Sequence, residues 1–280
     1  MVIEQAPLED ELGDVLDKAR QNTGMTERAL AERAGVDAGK IRDAVDYRYD
    51  LSPEEIGRLC AALQLNEVGV RALAAGRYPL PEISGLPFCV YPLRMPHGIG
   101  VANAYIVAEC GKPNGVLFDA GTDAARLRRV WPAVITKLDA VFLTHAETEH
   151  IGGLEDVMRQ FGPVPVFGPA GSRVRSAVAL GEGGRVEAGG FSVETLATPG
   201  HAEAHNCYVV RNPRVARGAA LLISGDLLFA GSVGGAYFCE KRQREHLSRV
   251  LALDETTVVA PGHGPLTTLK NERTFNPFVV

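Results

Sequence analysis

Five short apolar runs end in the same way, each with a side chain able to hold a metal at or just after its last residue. They are VLFDAG (Asp119), AVFLTHAETEH (His145, Glu147, Glu149, His150), ETLATPGH (His201), LLISGD (Asp226) and TVVAPGH (His263). A strand that finishes on Asp or His, with Gly or Thr beside it to let the chain turn sharply, delivers that side chain to the rim of a sheet. Several strands doing so predict one shared site. In the densest run His145 and Glu147 are two residues apart, so an extended chain points both the same way. Glu149 and His150 fall one turn later and face a second ion, so the cluster accommodates two metals. Asp119 is expected to orient a ligand loop rather than to ligate.

Taken singly, an Asp or His at a strand end is more often a cap or turn residue, and only the repetition in register argues for ligation. His97, His205 and His246 lie outside the repetition, and His205 is read as lining the cleft without binding metal. The Gly231–Gly235 segment lacks the spacing and lysine of a phosphate loop and reads as a turn. Lys241, Arg242 and Arg244 open a helix as a solvated basic face.

These runs occupy the second part of a chain of 280 residues, long enough for one large domain or two modest ones at roughly 100 to 200 residues each. The first part carries apolar residues three and four apart, the period of helices. Leu12, Val15, Leu16 and Ala19 form one stripe; Thr26 caps a second helix that Gly35 ends; Asp37 caps a third. Ser52-Pro53-Glu54-Glu55 has the pattern of a capping box with proline at the first helical position, predicting a helix to about Leu63. A last helix is expected from Asn66 to Gly76. The expected division is a helical domain over 1–77, a proline-rich linker over 78–87 and a mixed α/β domain over 88–280.

Residues 1–80 hold 10 Lys and Arg against 15 Asp and Glu, and the remainder holds 19 of each, so all of the net charge of -5 lies in the first segment. No run of about 18 apolar residues is present to span a bilayer, and the first residues carry no secretory pattern. The expected location is the cytoplasm. Five cysteines, odd in number and without a C-x-x-C pair, are read as reduced and mostly buried thiols.

Leu30 to Val45 (LAERAGVDAGKIRDAV) resembles the helix-turn-helix of the Cro/repressor family. That resemblance implies a third helix in the major groove with Lys40 and Arg42 at the bases. The acidity of the segment, with Asp37, Asp43 and Asp46 on that helix, opposes phosphate neutralisation, and nucleic acid is not the expected partner. Dimerisation, giving a homodimer through the N-terminal domain, or coverage of the second domain's cleft is the preferred use.

The five runs, in their order, resemble the metallo-β-lactamase superfamily. SGDLLFAGSVGG (Ser224–Gly235), PGHGPLTTLKNERTFNPF (Pro261–Phe278) and the Asn103-Ala104-Tyr105 strand are similar to its glyoxalase-II-like branch. The resemblance, over about residues 88 to 280, implies an αββα sandwich preceded here by a small all-α domain. It places His145, Glu147 and His201 on a first metal, Glu149, His150 and His263 on a second, and Asp226 between them, with Asp226 and Glu149 as the catalytic carboxylates.

Two departures from that pattern matter. The family's His-x-His-x-Asp-His reads His145-Ala146-Glu147-Thr148-Glu149-His150 here, so an imidazole becomes a carboxylate and an aspartate lengthens to glutamate. Harder oxygen ligands tilt the two divalent ions toward iron or manganese, with zinc admissible. Flavodiiron proteins have a similar His-x-Glu-x-Asp-His. Gly234-Gly235-Ala236-Tyr237 also replaces the branch's usual Gly-Arg-Thr-Asp, which argues against a glutathione thioester. The implied activity is hydrolysis of a small-molecule thioester, ester or lactone carbonyl through a metal-bridging hydroxide. The alternatives are a non-haem di-iron redox or oxygen-activating enzyme, and a ligand-sensing transcriptional regulator with a degenerate hydrolase domain.

Overall fold

The computed structural model describes residues 6–48, 50–215 and 218–280. Five helices come first: α1 (Leu12–Asn22), α2 (Glu27–Ala34), α3 (Ala38–Val45), α4 (Pro53–Leu63) and α5 (Glu67–Ala74). Their ends follow from local chemistry. Thr26 Oγ1 accepts from Ala29 N–H, Asp37 from Lys40 N–H, and Ser52 and Glu55 form a reciprocal capping box beneath Pro53. Gly35 terminates α2 at φ 61°, a left-handed turn that costs glycine nothing. The inward stripes meet in one core around Val15, Leu16, Leu30, Ile41, Leu59 and Val70.

Two six-stranded sheets follow. The first runs β1 (Cys89–His97), β2 (Gly100–Ala108), β3 (Asn114–Phe118), β4 (Lys137–Phe142), β5 (Val166–Pro169) and β6 (Val178–Leu180), antiparallel to β3 and parallel beyond it. The second runs β7 (Arg185–Ala188), β8 (Phe191–Ala197), β9 (Asn206–Arg211), β10 (Leu221–Gly225), β11 (Val258–Pro261) and β12 (Thr267–Thr268), with only β10 and β11 parallel.

Alternate residues of each strand serve different layers. Tyr105, Val107, Val116 and Phe118 point between the sheets, where Phe118 stacks on Phe142 at 5.3 Å and Tyr208 lies against both rings. Ile106 and Leu117 point outward beneath α6 (Ala124–Val130) and α8 (Leu154–Phe161), with the single turn α7 (Thr148–Ile151) preceding α8. The outer face of the second sheet is covered by α9 (Glu240–Leu251) and α10 (Leu269–Phe275) through Leu247, Val250 and Leu269. The result is a four-layer αββα arrangement. Strands buried on both faces explain why they read as continuous apolar runs.

The stretch 78–87 is packed rather than a free spacer. Tyr78 OH donates to Glu272 at 3.0 Å, Asn271 Nδ2 donates to Pro79 O at 3.0 Å, and Ile83 and Leu86 pack on the inter-sheet core. The five helices also touch the sandwich directly. A Cβ at Gly69 would lie 1.9 Å from Phe275 O, so α5 approaches α10 as only glycine allows.

The reading of all five cysteines as reduced is corrected. Cys89 and Cys110 form a disulfide, while Cys60, Cys207 and Cys239 are free. The antiparallel register sets Cys89 opposite Ala108, which brings Cys110 within 5.2 Å Cα to Cα. A separation of 21 residues gives no sign of that pairing in the sequence. No helix among the described residues is long and apolar enough to cross a membrane.

Candidate metal centre

The strand ends converge. Ligand-capable atoms of His145, Glu147, His201 and Asp226 lie within 4.8 Å of one another, as do those of Glu149, His150 and His263. Asp226 sits between the groups. Its Oδ1 is 3.5 Å from His150 Nε2, and its Oδ2 is 3.3 Å from His263 Nε2 and 3.7 Å from His201 Nε2. Glu147 reaches His201 Nε2 at 3.1 Å and His145 Nε2 at 3.9 Å.

Each imidazole is held from behind by its Nδ1. His201 and His263 donate to the carbonyls of Gly235 at 2.8 Å and Val101 at 2.9 Å, and His150 donates to Asp119 Oδ2 at 3.2 Å. Thr144 Oγ1 spends its own proton on Asp119 at 2.9 Å and so accepts from His145 Nδ1–H, also at 2.9 Å. All four histidines therefore commit Nδ1–H to a partner behind the ring, which turns Nε2 toward the centre.

Electrostatics make that centre a poor place to leave empty-handed acceptors. Nε2 of His145, His150 and His201 and Oδ1 of Asp226 are buried without a hydrogen-bond partner among the described residues. Lone pairs facing carboxylate oxygens at 3.1 to 3.7 Å need a cation or a proton between them. Burial alone would raise the Asp226 carboxyl, yet His263 and His150 hold it well below the usual range. Burial pushes His145 well below the ordinary imidazole value. Against its burial, His263 is pushed up to about 9 by Asp226. Four imidazoles and three carboxylates around one centre fit divalent cations of intermediate hardness.

The backbone is shaped to permit this approach. Asn103 Nδ2 donates to Pro261 O and Gly264 O, and Tyr105 OH to Pro261 O, tying the His263 loop to β2. A Cβ at Gly262 would sit 2.1 Å from Asp226 Oδ1. At Gly225, φ 49°, it would meet His205 Nε2 at 2.6 Å.

Two histidines set aside in the sequence belong to this neighbourhood. His205 is buried, its ring 5.2 Å from that of His145, and its Nε2 accepts the Asp226 backbone N–H at 3.1 Å while Nδ1 donates to Thr198 Oγ1 at 2.8 Å. Both nitrogens are thereby occupied. Burial drives this imidazole down to about 3, so it stays neutral. His97 lies 3.6 Å from Glu149 Oε1 and 5.9 Å, ring to ring, from His263. The sequence reads His205 as lining the cleft, whereas the tip of a hairpin gives no sign of the placement of His97; His246 is half-exposed on α9. Gly231–Gly235 is a turn, and it also supplies the Gly235 carbonyl that orients His201.

Residues 97–263 match the family described as the Metallo-beta-lactamase superfamily. The chain belongs to that superfamily. This superfamily member is 32% identical over 212 residues to the probable metallo-hydrolase YqgX of Bacillus subtilis (strain 168), covering 66% of this chain and 96% of that protein. It is 34% identical over 177 residues to a hydroxyacylglutathione hydrolase of Pseudomonas entomophila (strain L48), covering 62% of this chain and 66% of that enzyme. Among solved structures it is similar to TTHA1623 in a di-iron-bound form, with 30% identity, a TM-score of 0.51, and coverage of 66% of this chain and 98% of that one. Helices α1 to α5 lie outside the region matched to the superfamily.

Proposed function

We propose that this protein is a dinuclear metallohydrolase acting on the carbonyl of a small thioester, ester or lactone. The observation that carries the reading is the set of four imidazoles anchored at Nδ1 around Asp226, three of which, His145, His150 and His201, present an unpartnered buried Nε2, while His263 Nε2 lies 3.3 Å from Asp226 Oδ2. His145, Glu147 and His201 hold one ion, Glu149, His150 and His263 the other, and Asp226 lies between them. When bound, two divalent ions supply Lewis acidity toward a carbonyl oxygen and an acidified water for attack on its carbon.

The chain's own groups prepare that chemistry. His205 donates nothing to the centre but fixes the Asp226 backbone by accepting its N–H. Asp119 holds His150 directly and His145 through Thr144, so one carboxylate sets both ring orientations. Glu147 is half-exposed, at 38%, and is the ligand that faces the opening. Tyr237, 81% exposed and 5.2 Å from the His201 ring, gives that opening an aromatic rim for the substrate's acyl part.

Iron or manganese is the favoured occupant because Glu147 puts an oxygen where an imidazole would favour zinc. Similarity to a structure in a di-iron-bound form supports the same preference. Those two observations also favour a second reading, a non-haem di-iron redox enzyme. Anaerobic turnover of thioester, ester and lactone substrates separates the readings: hydrolysis persists without oxygen, oxidation does not. His145→Ala and Asp226→Ala are expected to lower hydrolysis by about a hundredfold or more while circular dichroism stays native. Undiminished turnover in either variant contradicts the proposal.

Nucleic acid is not the proposed partner. Lys40 Nζ bonds Glu55 at 3.1 Å and Arg42 bonds Glu27 at 2.7 Å, so both cations of α3 are paired within the helical segment. They offer little charge for releasing phosphate counterions.

A further inference from the structure

The helical segment reaches the metal centre from two sides. Just ahead of α1, Glu9 Oε2 lies 3.6 Å from His263 Nδ1, buried and without a hydrogen-bond partner among the described residues. Two glycines make room for it: a Cβ at Gly100 would lie 3.0 Å from Glu9 Oε2, and one at Gly264 would lie 3.3 Å from Glu9 N. At the other end of the site Asp119 accepts from His150 Nδ1 at 3.2 Å; Glu9 instead stands beside an Nδ1–H already given to Val101 O at 2.9 Å and adds its charge through space.

The second contact is a clamp. Asp10, 8% exposed, accepts from Ser232 Oγ and from Lys18 Nζ, and Lys18 also donates to Val233 O at 2.7 Å. Ser232 and Val233 belong to the turn that follows Asp226. The next residues are fixed from the opposite side: Gln243 Nε2 donates to Gly234 O at 2.6 Å, and Gly235 O accepts from His201 Nδ1–H. A Cβ at Gly234 would lie 1.9 Å from Asp226 O, so a shift of this turn is felt at the central carboxylate.

We propose that the N-terminal helical segment is a working part of the metal centre: Glu9 backs His263, and the Asp10–Lys18 clamp sets the turn that orients His201. This rests on the reading of those histidines as ligands. A negative charge behind an imidazole N–H increases the electron density at the opposite nitrogen, which strengthens its hold on a cation. A partly buried ion pair bonded to a turn positions that turn, and loss of either partner leaves a charge without its counterion. Glu9, Asp10 and Lys18 are positioning residues; none touches the ions.

The test uses full-length protein titrated with manganese(II) by calorimetry, alongside thermal melting of the metal-free form. Glu9→Gln is expected to weaken the ion at His150 and His263 by roughly tenfold and leave the other unchanged. Lys18→Met is expected to weaken the ion at His145 and His201 by a similar factor, and Ser232→Ala, a milder cut in the same clamp, to act in the same direction. Glu32→Gln, on the exposed face of α2, is expected to bind as the unmodified protein does. Unchanged affinities in Glu9→Gln, Lys18→Met and Ser232→Ala, with only the melting temperature lowered, would overturn the proposal and leave the segment as packing. If the unmodified protein takes up no manganese, the metal-centre reading falls and this inference falls with it.

Discussion

Asp119 lies 3.2 Å from the Nδ1 of His150 and adopts a left-handed backbone, φ 57°, in doing so. A left-handed residue other than glycine is unfavourable, and Asp and Asn bear it best. The return is a carboxylate with three partners, since it also accepts Thr144 N–H at 2.8 Å and Thr144 Oγ1–H at 2.9 Å.

Asp119→Asn keeps the conformation but removes the charge behind His150. Retention of the ion at Glu149, His150 and His263 is expected to weaken by roughly tenfold, read from ion release to a chelator. Asp119→Ala strands buried donors as well and is expected to lower stability by about 2 to 3 kcal/mol in urea unfolding. Equal ion release in Asp119→Asn and the unmodified protein would rule out an orienting role.

His205 predicts a pH dependence of the metal-free protein. Its folded pKa, about 3, is below the unfolded value, so between the two only the unfolded chain binds the proton. The contribution is fully present above about pH 6.5 and is lost as pH falls, by about 1.4 kcal/mol per unit at most. His205→Asn is expected to be less stable than the unmodified protein at neutral pH, with the gap narrowing on acidification. A constant gap across that range would contradict a neutral, buried His205.

Glu147→His restores an all-imidazole face on the first group. The metal recovered with the purified protein is expected to shift from iron or manganese toward zinc, as elemental analysis would show. An unchanged metal preference would mean that Glu147 does not set it.

The Cys89–Cys110 bridge closes a loop of 21 residues at the open end of the β1–β2 hairpin, away from Val101 and His97. Cys89→Ser with Cys110→Ser is expected to lower stability by about 2 to 3 kcal/mol while metal content stays constant. Loss of metal on removing the bridge would place the disulfide in the service of the site.

What the sequence revealed divides along physical lines. Side chains that terminate strands were legible because each strand and its turn are local: Asp119, His145, His201, Asp226 and His263 could be picked out one by one, and their common rim followed from repetition. Helix starts were legible for the same reason, since Thr26, Asp37 and Ser52 bond donors within three residues. The groups that orient the histidines were not. Val101 O and Gly235 O are backbone carbonyls with no side-chain signature, and their alignment with His263 and His201 depends on how two sheets meet. Glu9 was silent because it precedes the first helix, and its placement depends on how α1 to α5 dock. His205 reads as lining the cleft, but its bond from the Asp226 N–H has no local sign, since it depends on how two separate strand ends meet.

The account stands most directly on the metal content of the full-length protein purified without chelator and measured by elemental analysis. It predicts about two ions of iron or manganese per chain, with retention sharply reduced in Asp226→Ala, whose carboxylate lies between the two groups. Protein that stays metal-free after incubation with iron(II), manganese(II) and zinc(II), or an Asp226→Ala variant that holds both ions as tightly as the unmodified chain, would contradict it.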